Sequence, residues 1–158
     1  MKIALAQLNY HIGNFDFNTQ HIIKNIALAK EKGADIVVFA ELAICGYPPR
    51  DFLEYSNFIS LCEDAINEIA KYCTEIACIV GLPIKNDLVK GKDLYNAAYF
   101  IAEGKVSKVT KKALLPTYDV FDEYRYFQPN TDEFECIDFK GKRIALTICE
   151  DLWNINDF

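Results

Sequence analysis

The sequence predicts an α/β fold, a mixed β-sheet with helices on one face. Between residues 2 and 82, short continuous apolar runs alternate with stretches in which apolar residues recur at helical spacing. Beyond residue 90, tight-turn signals join strand-like runs into hairpins. Of the 158 residues, 51% are hydrophobic, which is enough for one domain with a substantial core.

The first half of the chain alternates between strands and helices. The predicted elements are, in order, a strand at residues 2–8, a helix at 16–32, a strand at 34–41, a helix from about 53 to 73 and a strand at 76–82. Asp16 or Asn18 can cap the first helix, and Gly33 can end it. The third element is apolar without interruption, which indicates a strand buried on both faces.

The second half is predicted to contain two hairpins. Residues 94–110 bend at Glu103–Gly104, and residues 134–149 bend at Lys140–Gly141. Between them, residues 111–130 are aromatic and charged and have no clear period. Loops of this length inside a compact domain are usually functional.

One face of this sheet has no predicted cover. The two helices account for the other face, but runs as apolar as 36–40 and 144–148 need burial on both faces. We therefore expect the uncovered face to be closed by sequence absent from this chain, by another chain, or by both.

Charge and hydropathy exclude several classes of protein. The chain has 17 Lys and Arg against 23 Asp and Glu, interspersed, for a net charge of -6. This balance argues against nucleic acid or an anionic membrane as a partner. The apolar runs are far shorter than the ~20 residues that cross a bilayer, and the first residues lack a signal-peptide cleavage site. We expect a cytoplasmic protein.

The six cysteines have no regular spacing, and most have apolar neighbours. This pattern favours reduced core thiols over a disulfide framework. There is no Cys-x2-Cys pair, and His11 and His21 are not placed to complete a tetrahedral set, so no metal site is predicted.

Three polar residues stand at or just after predicted strand ends, where α/β sheets place ligand sites: Glu41, Lys112 and Cys149. No glycine-rich phosphate loop and no GxSxG elbow competes with them. Each residue has an ordinary structural interpretation. Glu41 could cap a helix or lie on the surface, Lys112 could be solvated, and Cys149 could be a core thiol.

Taken together, the three residue types suit amide hydrolysis through a thioester. That reaction needs a thiolate, a base that takes and returns its proton, and a positive group for the oxyanion. Cys149 is expected at a strand-to-helix turn, where helix N–H groups lower the pKa of a thiol. A Cys-His pair is less favoured, because His21 falls within a helix and His11 in an early loop.

The sequence stretches that carry these residues resemble the three catalytic motifs of the nitrilase, or carbon-nitrogen hydrolase, superfamily, in the family's order. They read VVFAELAICGYPPRDFL, KKALLPTYDVFDEYRYF and RIALTICEDLW. The likeness is greatest to the N-terminal glutaminase domains of glutamine-dependent NAD synthetases, because of GYPPRDFL, LPTYDVFDE and CEDLW. It implies that residues 1–158 are one incomplete domain, the N-terminal part of an α-β-β-α sandwich, with the synthetase domain absent from this chain.

The resemblance also implies a role for each matched residue. Cys149 would be the nucleophile, Glu41 the general base and then acid, and Lys112 the oxyanion stabiliser, with Glu123 as a supporting acid. Three further residues match positions that hold or approach the glutamine: Tyr118, Glu150 and Tyr47.

The implied activity is hydrolysis of glutamine, which supplies ammonia for ATP-dependent synthesis of NAD from nicotinic acid adenine dinucleotide. The glutaminase part would need no cofactor, ATP and Mg²⁺ would belong to the absent synthetase domain, and a homo-oligomer is expected. By itself, the 158-residue chain is expected to have little or no activity and to aggregate, because its apolar strands lack a second sheet.

Two other classes of protein stay open. An amidase or carbamoylase of the same superfamily would keep the same three residues but would need no ammonia acceptor. A Ser-Gly-Gly nucleotide loop downstream of Phe158 would separate it from a synthetase. The third possibility is an inactive fragment or assembly module, which release of ammonia from glutamine would exclude.

Overall fold

The computed structural model describes residues 1–87 and 90–153. Its elements are, in chain order, β1 (Ile3–Leu5), α1 (Phe15–Glu31), β2 (Ile36–Val38), a 3-10 turn (Arg50–Glu54), α2 (Ser56–Ala70), β3 (Ala77–Lys85), β4 (Leu94–Ala102), β5 (Lys105–Lys111), α3 (Glu123–Tyr126), β6 (Ile137–Phe139), β7 (Lys142–Ile144) and a 3-10 turn (Cys149–Leu152). Within these ranges, no helix is both long and apolar enough to cross a membrane.

The predicted mixed sheet is confirmed. Five strands pair in the order β1-β2-β3-β4-β5. The first three are parallel, because α1 and α2 return the chain to the same end of the sheet, and the next two pairings are antiparallel. Both predicted hairpins form, with Glu103–Gly104 and Lys140–Gly141 at the bends in left-handed backbone conformations.

Both long helices cover one face of the sheet, as predicted. The main core joins Ile22 and Ile26 of α1 and Ile66 and Ile69 of α2 to inward-facing strand residues such as Val80. Asn14 caps α1 by accepting a hydrogen bond from the Phe17 N–H at 3.2 Å.

The prediction of the α1 cap was wrong. The predicted caps, Asp16 and Asn18, lie inside the helix. Asn18 is fully buried, and its amide donates to the carbonyls of His11 and Ile44 at 2.8 and 3.0 Å. These bonds join the segment that follows β1, at His11, to the segment that follows β2, at Ile44, so Asn18 supports two loops and does not cap the helix.

The second face is partly covered, which corrects the expectation that nothing in this chain would cover it. Ile137 of β6 and Leu146 pack against Ile36, Ala77 and Phe100 on that face. The hairpin β6-β7 is a separate two-stranded sheet and reaches only part of the surface. On β1, at the edge of the main sheet, Ile3 and Leu5 are 49% and 76% exposed.

The predicted strand at 144–148 was wrong beyond its first residue. β7 ends at Ile144, since its one partner among the described residues is the short strand β6. Leu146 and Ile148 still turn inward, while Ala145 and Thr147 face outward. The alternating pattern of residues 144–148 therefore indicates which side chains are buried, although within the described residues no strand pairs with 145–148.

Candidate active site

Glu41 lies in the turn that leaves β2, and the close approach of β3 fixes this turn. A Cβ on Gly81 of β3 would lie 2.4 Å from the Leu42 nitrogen and 3.0 Å from the Ala40 oxygen. Only glycine leaves room for the turn at this point. Leu42 itself has φ +50°, a left-handed conformation that L residues rarely adopt.

Lys112 follows β5 and is 0% exposed, so the interpretation of it as a solvated lysine is wrong. Its N–H donates to the Asn96 carbonyl at 2.8 Å, and its own carbonyl accepts from the Asn130 N–H at 2.9 Å. Both ends of the residue are therefore held by backbone bonds, and the ammonium group is directed into the protein.

The Lys112 ammonium contacts two carboxylates. Nζ lies 2.7 Å from Oε1 of Glu41 and 2.8 Å from Oε2 of Glu123. Burial would lower the pKa of Lys112, but the Glu41 charge and the hydrogen bonds to both acids outweigh it, so the pKa lies above its ordinary value. Lys112 is therefore positively charged at neutral pH.

Glu123 is buried at the start of α3. Besides Lys112, it accepts a hydrogen bond from the Tyr47 hydroxyl, at 2.9 Å on Oε1. Burial and then the charge of Glu41 raise its pKa, against the hydrogen bonds from Lys112 and Tyr47 that lower it. Two acids thus share one cation.

Cys149 begins the second 3-10 turn with φ +45°, in the left-handed region. The residue is exposed, so it is not a core thiol. It lines a cavity of about 300 Å³ together with Glu41, Gly81 and Ile148. The structure therefore brings the predicted thiol and the predicted base to one cavity.

The pKa of the Cys149 thiol is raised, contrary to the sequence-based expectation. Partial burial of the sulfur has the largest effect, the charge of Glu41 adds to it, and Lys112 lowers the pKa by less. The expected helix is a four-residue 3-10 turn, too short to supply a sizeable dipole. At neutral pH the sulfur is protonated and needs a base.

Two residues of this site were not predicted from the sequence. The first is Asn96 of β4, which is fully buried and donates to Glu41 Oε1 at 2.6 Å and to Glu123 Oε2 at 3.3 Å. A lone amide in the apolar strand LYNAAYFIA was the available signal.

The second missed residue is Asp151. Oδ1 accepts from the backbone N–H groups of Ala113 and Leu114 at 3.0 and 2.9 Å, and Oδ2 accepts from that of Ile148 at 3.0 Å. One carboxylate thus joins the segment after Lys112 to the segment before Cys149. The sequence offers no signal for such long-range backbone contacts.

The three residues predicted to hold or approach the substrate lie in different settings. The Tyr118 hydroxyl donates to Glu150 Oε2 at 2.8 Å, beside Cys149, and the Tyr118 ring packs edge-on against Phe121. Tyr47 uses its hydroxyl on Glu123 and packs against the same phenylalanine. Tyr118 is exposed and none of the three lines the cavity that holds Cys149 and Glu41, while the Tyr47 hydroxyl contacts the acid Glu123.

Neither histidine joins this cavity. His11 stacks on Phe17 at 4.4 Å between ring centroids, and His21 packs on the same ring at 5.4 Å. In residues 1–87 and 90–153, no three His, Cys, Asp or Glu side chains are grouped so that they could hold a metal ion.

Comparison with known proteins identifies relatives along almost the whole chain. The carbon-nitrogen hydrolase family model matches residues 2–157. The glutamine-dependent NAD(+) synthetase of Xanthomonas campestris is 42% identical over 155 residues, 97% of this chain and 27% of that protein. The synthetase of Synechocystis is 41% identical over 160 residues, 99% of this chain and 28% of that protein.

Solved structures agree in fold. The glutamine-dependent NAD+ synthetase of Acinetobacter baumannii superimposes with a TM-score of 0.89 at 36% identity, over 97% of this chain and 28% of that chain. An amidase from Nesterenkonia sp. gives 0.79 at 23% identity, over 94% of this chain and 55% of that chain, which is a likeness of fold alone. The chain thus spans less than a third of the length of the synthetases that it matches.

Proposed function

Because the chain belongs to the carbon-nitrogen hydrolase family, we propose that Cys149, Glu41 and Lys112 are the catalytic residues of an enzyme that hydrolyses the side-chain amide of glutamine. One observation carries the proposal. A fully buried lysine is paired with a glutamate that lines a cavity together with an exposed cysteine. A nucleophile, a base and a cation are the groups that acyl transfer through a thioester requires.

In the first half of the reaction, Glu41 takes the proton from the Cys149 sulfur, and the thiolate attacks the amide carbon. The Lys112 ammonium stabilises the oxyanion of the tetrahedral intermediate. Two of its three N–H bonds are used on carboxylates, which leaves one for the substrate oxygen. Glu41 then gives its proton to the leaving nitrogen, the C–N bond breaks, and ammonia leaves a thioester behind.

In the second half, Glu41 takes a proton from water, and the resulting hydroxide attacks the thioester carbon. The C–S bond breaks, the proton returns to the Cys149 sulfur, and glutamate leaves. Because the pKa of the Cys149 thiol is raised, transfer of the proton back to the sulfur is favoured.

We further propose that the ammonia is used in ATP-dependent synthesis of NAD from nicotinic acid adenine dinucleotide. Support comes from the synthetases that match 97% or more of this chain. ATP and Mg²⁺ would be bound outside residues 1–158, so no step at Cys149 depends on them. A cytoplasmic homo-oligomer belongs to the same proposal.

The test is ammonia and glutamate release from glutamine by the protein expressed from its complete reading frame. Cys149→Ala should abolish release, whereas Cys136→Ala, which removes the other exposed cysteine, should keep it. Activity in Cys149→Ala, or none in the parent protein, would refute the proposal. Amidation of nicotinic acid adenine dinucleotide with ATP and glutamine distinguishes a synthetase from an amidase of the same family.

A further inference from the structure

Asn96 occupies a position from which it contacts both acids of the site. It lies in β4, is fully buried, and donates one hydrogen bond to Glu41 and one to Glu123. An amide nitrogen has two N–H bonds, so both are used.

The orientation of this amide is determined by its neighbours. Oδ1 of Asn96 is buried and has no hydrogen-bond partner among the described residues. A rotation that exchanged the oxygen and the nitrogen would turn the oxygen toward two carboxylates, which accept hydrogen bonds and donate none when charged. The side chain therefore leaves its acceptor unpaired to direct both donors at the acids.

Hydrogen-bond donors are distributed unequally over the four carboxylate oxygens. Glu41 Oε1 and Glu123 Oε2 each accept from both Lys112 and Asn96. Glu123 Oε1 accepts from Tyr47. Glu41 Oε2 is the one oxygen of the four without a donor in the described part of the chain.

We propose that Asn96 is a positioning residue that, together with Lys112, saturates Oε1 of Glu41 and leaves Oε2 as the atom that takes the Cys149 proton. The inference rests on the proposed function. It explains why the two neighbouring acids have different roles. Both oxygens of Glu123 accept hydrogen bonds, whereas Oε2 of Glu41 has no donor among the described residues. Glu123 is then a structural acid that holds Lys112.

The proposal predicts a change in the pH dependence of the reaction. The charged and titratable groups that face Glu41 are Lys112, Glu123 and Cys149. The Tyr47 hydroxyl is hydrogen-bonded to Glu123 and so lies next to this group. Asn96→Leu keeps the branched shape of the side chain but removes two hydrogen bonds that favour the charged acids. The acidic limb of the kcat profile should therefore move to higher pH.

The experiment compares pH profiles of glutamine hydrolysis for the protein from the complete reading frame. In Asn96→Leu, kcat should fall at least about tenfold, while KM changes by less than about threefold. Asn96→Asp, of the same shape, should lose more at neutral pH and partly recover as the pH falls, because a protonated Asp can again donate. Asn25→Leu, which removes an amide bonded to the His21 carbonyl within α1, should keep the parent profile.

Unchanged kcat and pH profile in Asn96→Leu would overturn the inference, as would an Asn96→Asp variant that shows no recovery at lower pH. If Asn96→Leu does not fold, the isosteric Asn96→Asp decides alone. A parent protein without glutaminase activity would refute the proposed function instead, so the two failures are distinguishable.

Discussion

At the scale of single residues, the site depends on one buried cation between two acids. Lys112 has no exposed surface, and its ammonium is compensated by Glu41 and Glu123 at hydrogen-bond distance. A buried pair becomes costly when one partner is lost, because the remaining charge stays out of water. Lys112 is therefore expected to contribute to stability as well as to chemistry.

Lys112→Met should lower the free energy of unfolding by about 3–5 kcal/mol at neutral pH and abolish activity. Lys111→Met is the matched control, since its ion pair with Asp132 is partly exposed, and it should cost at most about 1 kcal/mol. Urea unfolding measures both values. Equal losses in the two variants would contradict a special role for the buried charge.

The reactivity of Cys149 should follow the neighbouring charges. Glu41 raises the pKa of the thiol and Lys112 lowers it. Alkylation of Cys149 by iodoacetamide should therefore reach half its maximal rate at a lower pH in Glu41→Gln and at a higher pH in Lys112→Met. Peptide mapping that follows Cys149 gives the rates, and shifts of the opposite sign would contradict the described charge arrangement.

At the scale of elements, the site is assembled where loops meet the ends of strands. The turn after β2 supplies Glu41, the segment after β5 supplies Lys112, and the turn at Cys149 supplies the thiol. Two contacts fix these segments relative to one another, namely the close approach at Gly81 and the backbone bonds to Asp151.

Gly81→Ala should lower activity by more than its loss of stability would explain. The new Cβ would lie 2.4 Å from the Leu42 nitrogen, so the turn that carries Glu41 must move. Gly33→Ala is the control. A Cβ at position 33 would have no atom within 4 Å, so this substitution should cost only about 1–2 kcal/mol of stability, from left-handed backbone strain. A fully active Gly81→Ala would show that the turn can shift without harm.

Asp151→Ala should lower kcat, since three backbone N–H groups on two segments lose their acceptor. The kcat of Asp151→Asn should lie between those of the parent and Asp151→Ala, because its one carbonyl oxygen can still accept hydrogen bonds from the Ala113 and Leu114 N–H groups. The exposed Asp138→Asn on β6 is the control. Steady-state kinetics decide, and equal activity of all variants would rule out the proposed positioning.

Periodicity and turn chemistry were sufficient for the alternation of helices and strands, because these signals are local. They did not identify Asn14 as the cap or the end of β7, which depend on what the chain meets in space. Glu41, Lys112 and Cys149 could be singled out by their place after predicted strands, whereas Glu123 was expected only from the family resemblance. The burial of Lys112 and the contacts of Asp151 could not, since both arise from residues far apart in sequence.

At the scale of the whole molecule, the sheet has one well-covered face and one partly covered face. The hairpin β6-β7 covers only part of the second face, and Ile3 and Leu5 are exposed on β1 at the sheet edge. Exposed apolar edge strands favour association between chains.

The chain of residues 1–158 alone should therefore associate in solution and have little or no glutaminase activity. Light scattering during size-exclusion chromatography and an ammonia assay measure the two properties. A monodisperse sample that unfolds cooperatively would contradict the first expectation, and turnover of glutamine would contradict the second.

A thioester between Cys149 and the acyl group of glutamine is the intermediate on which the proposed reaction depends. Peptide mapping by mass spectrometry, after an acid quench of the protein from the complete reading frame with glutamine, tests it most directly. We expect a glutamyl adduct on the Cys149 peptide that is absent when the protein is quenched without glutamine. Release of ammonia without any adduct on Cys149, in a protein whose Cys149→Ala variant is equally active, would contradict it.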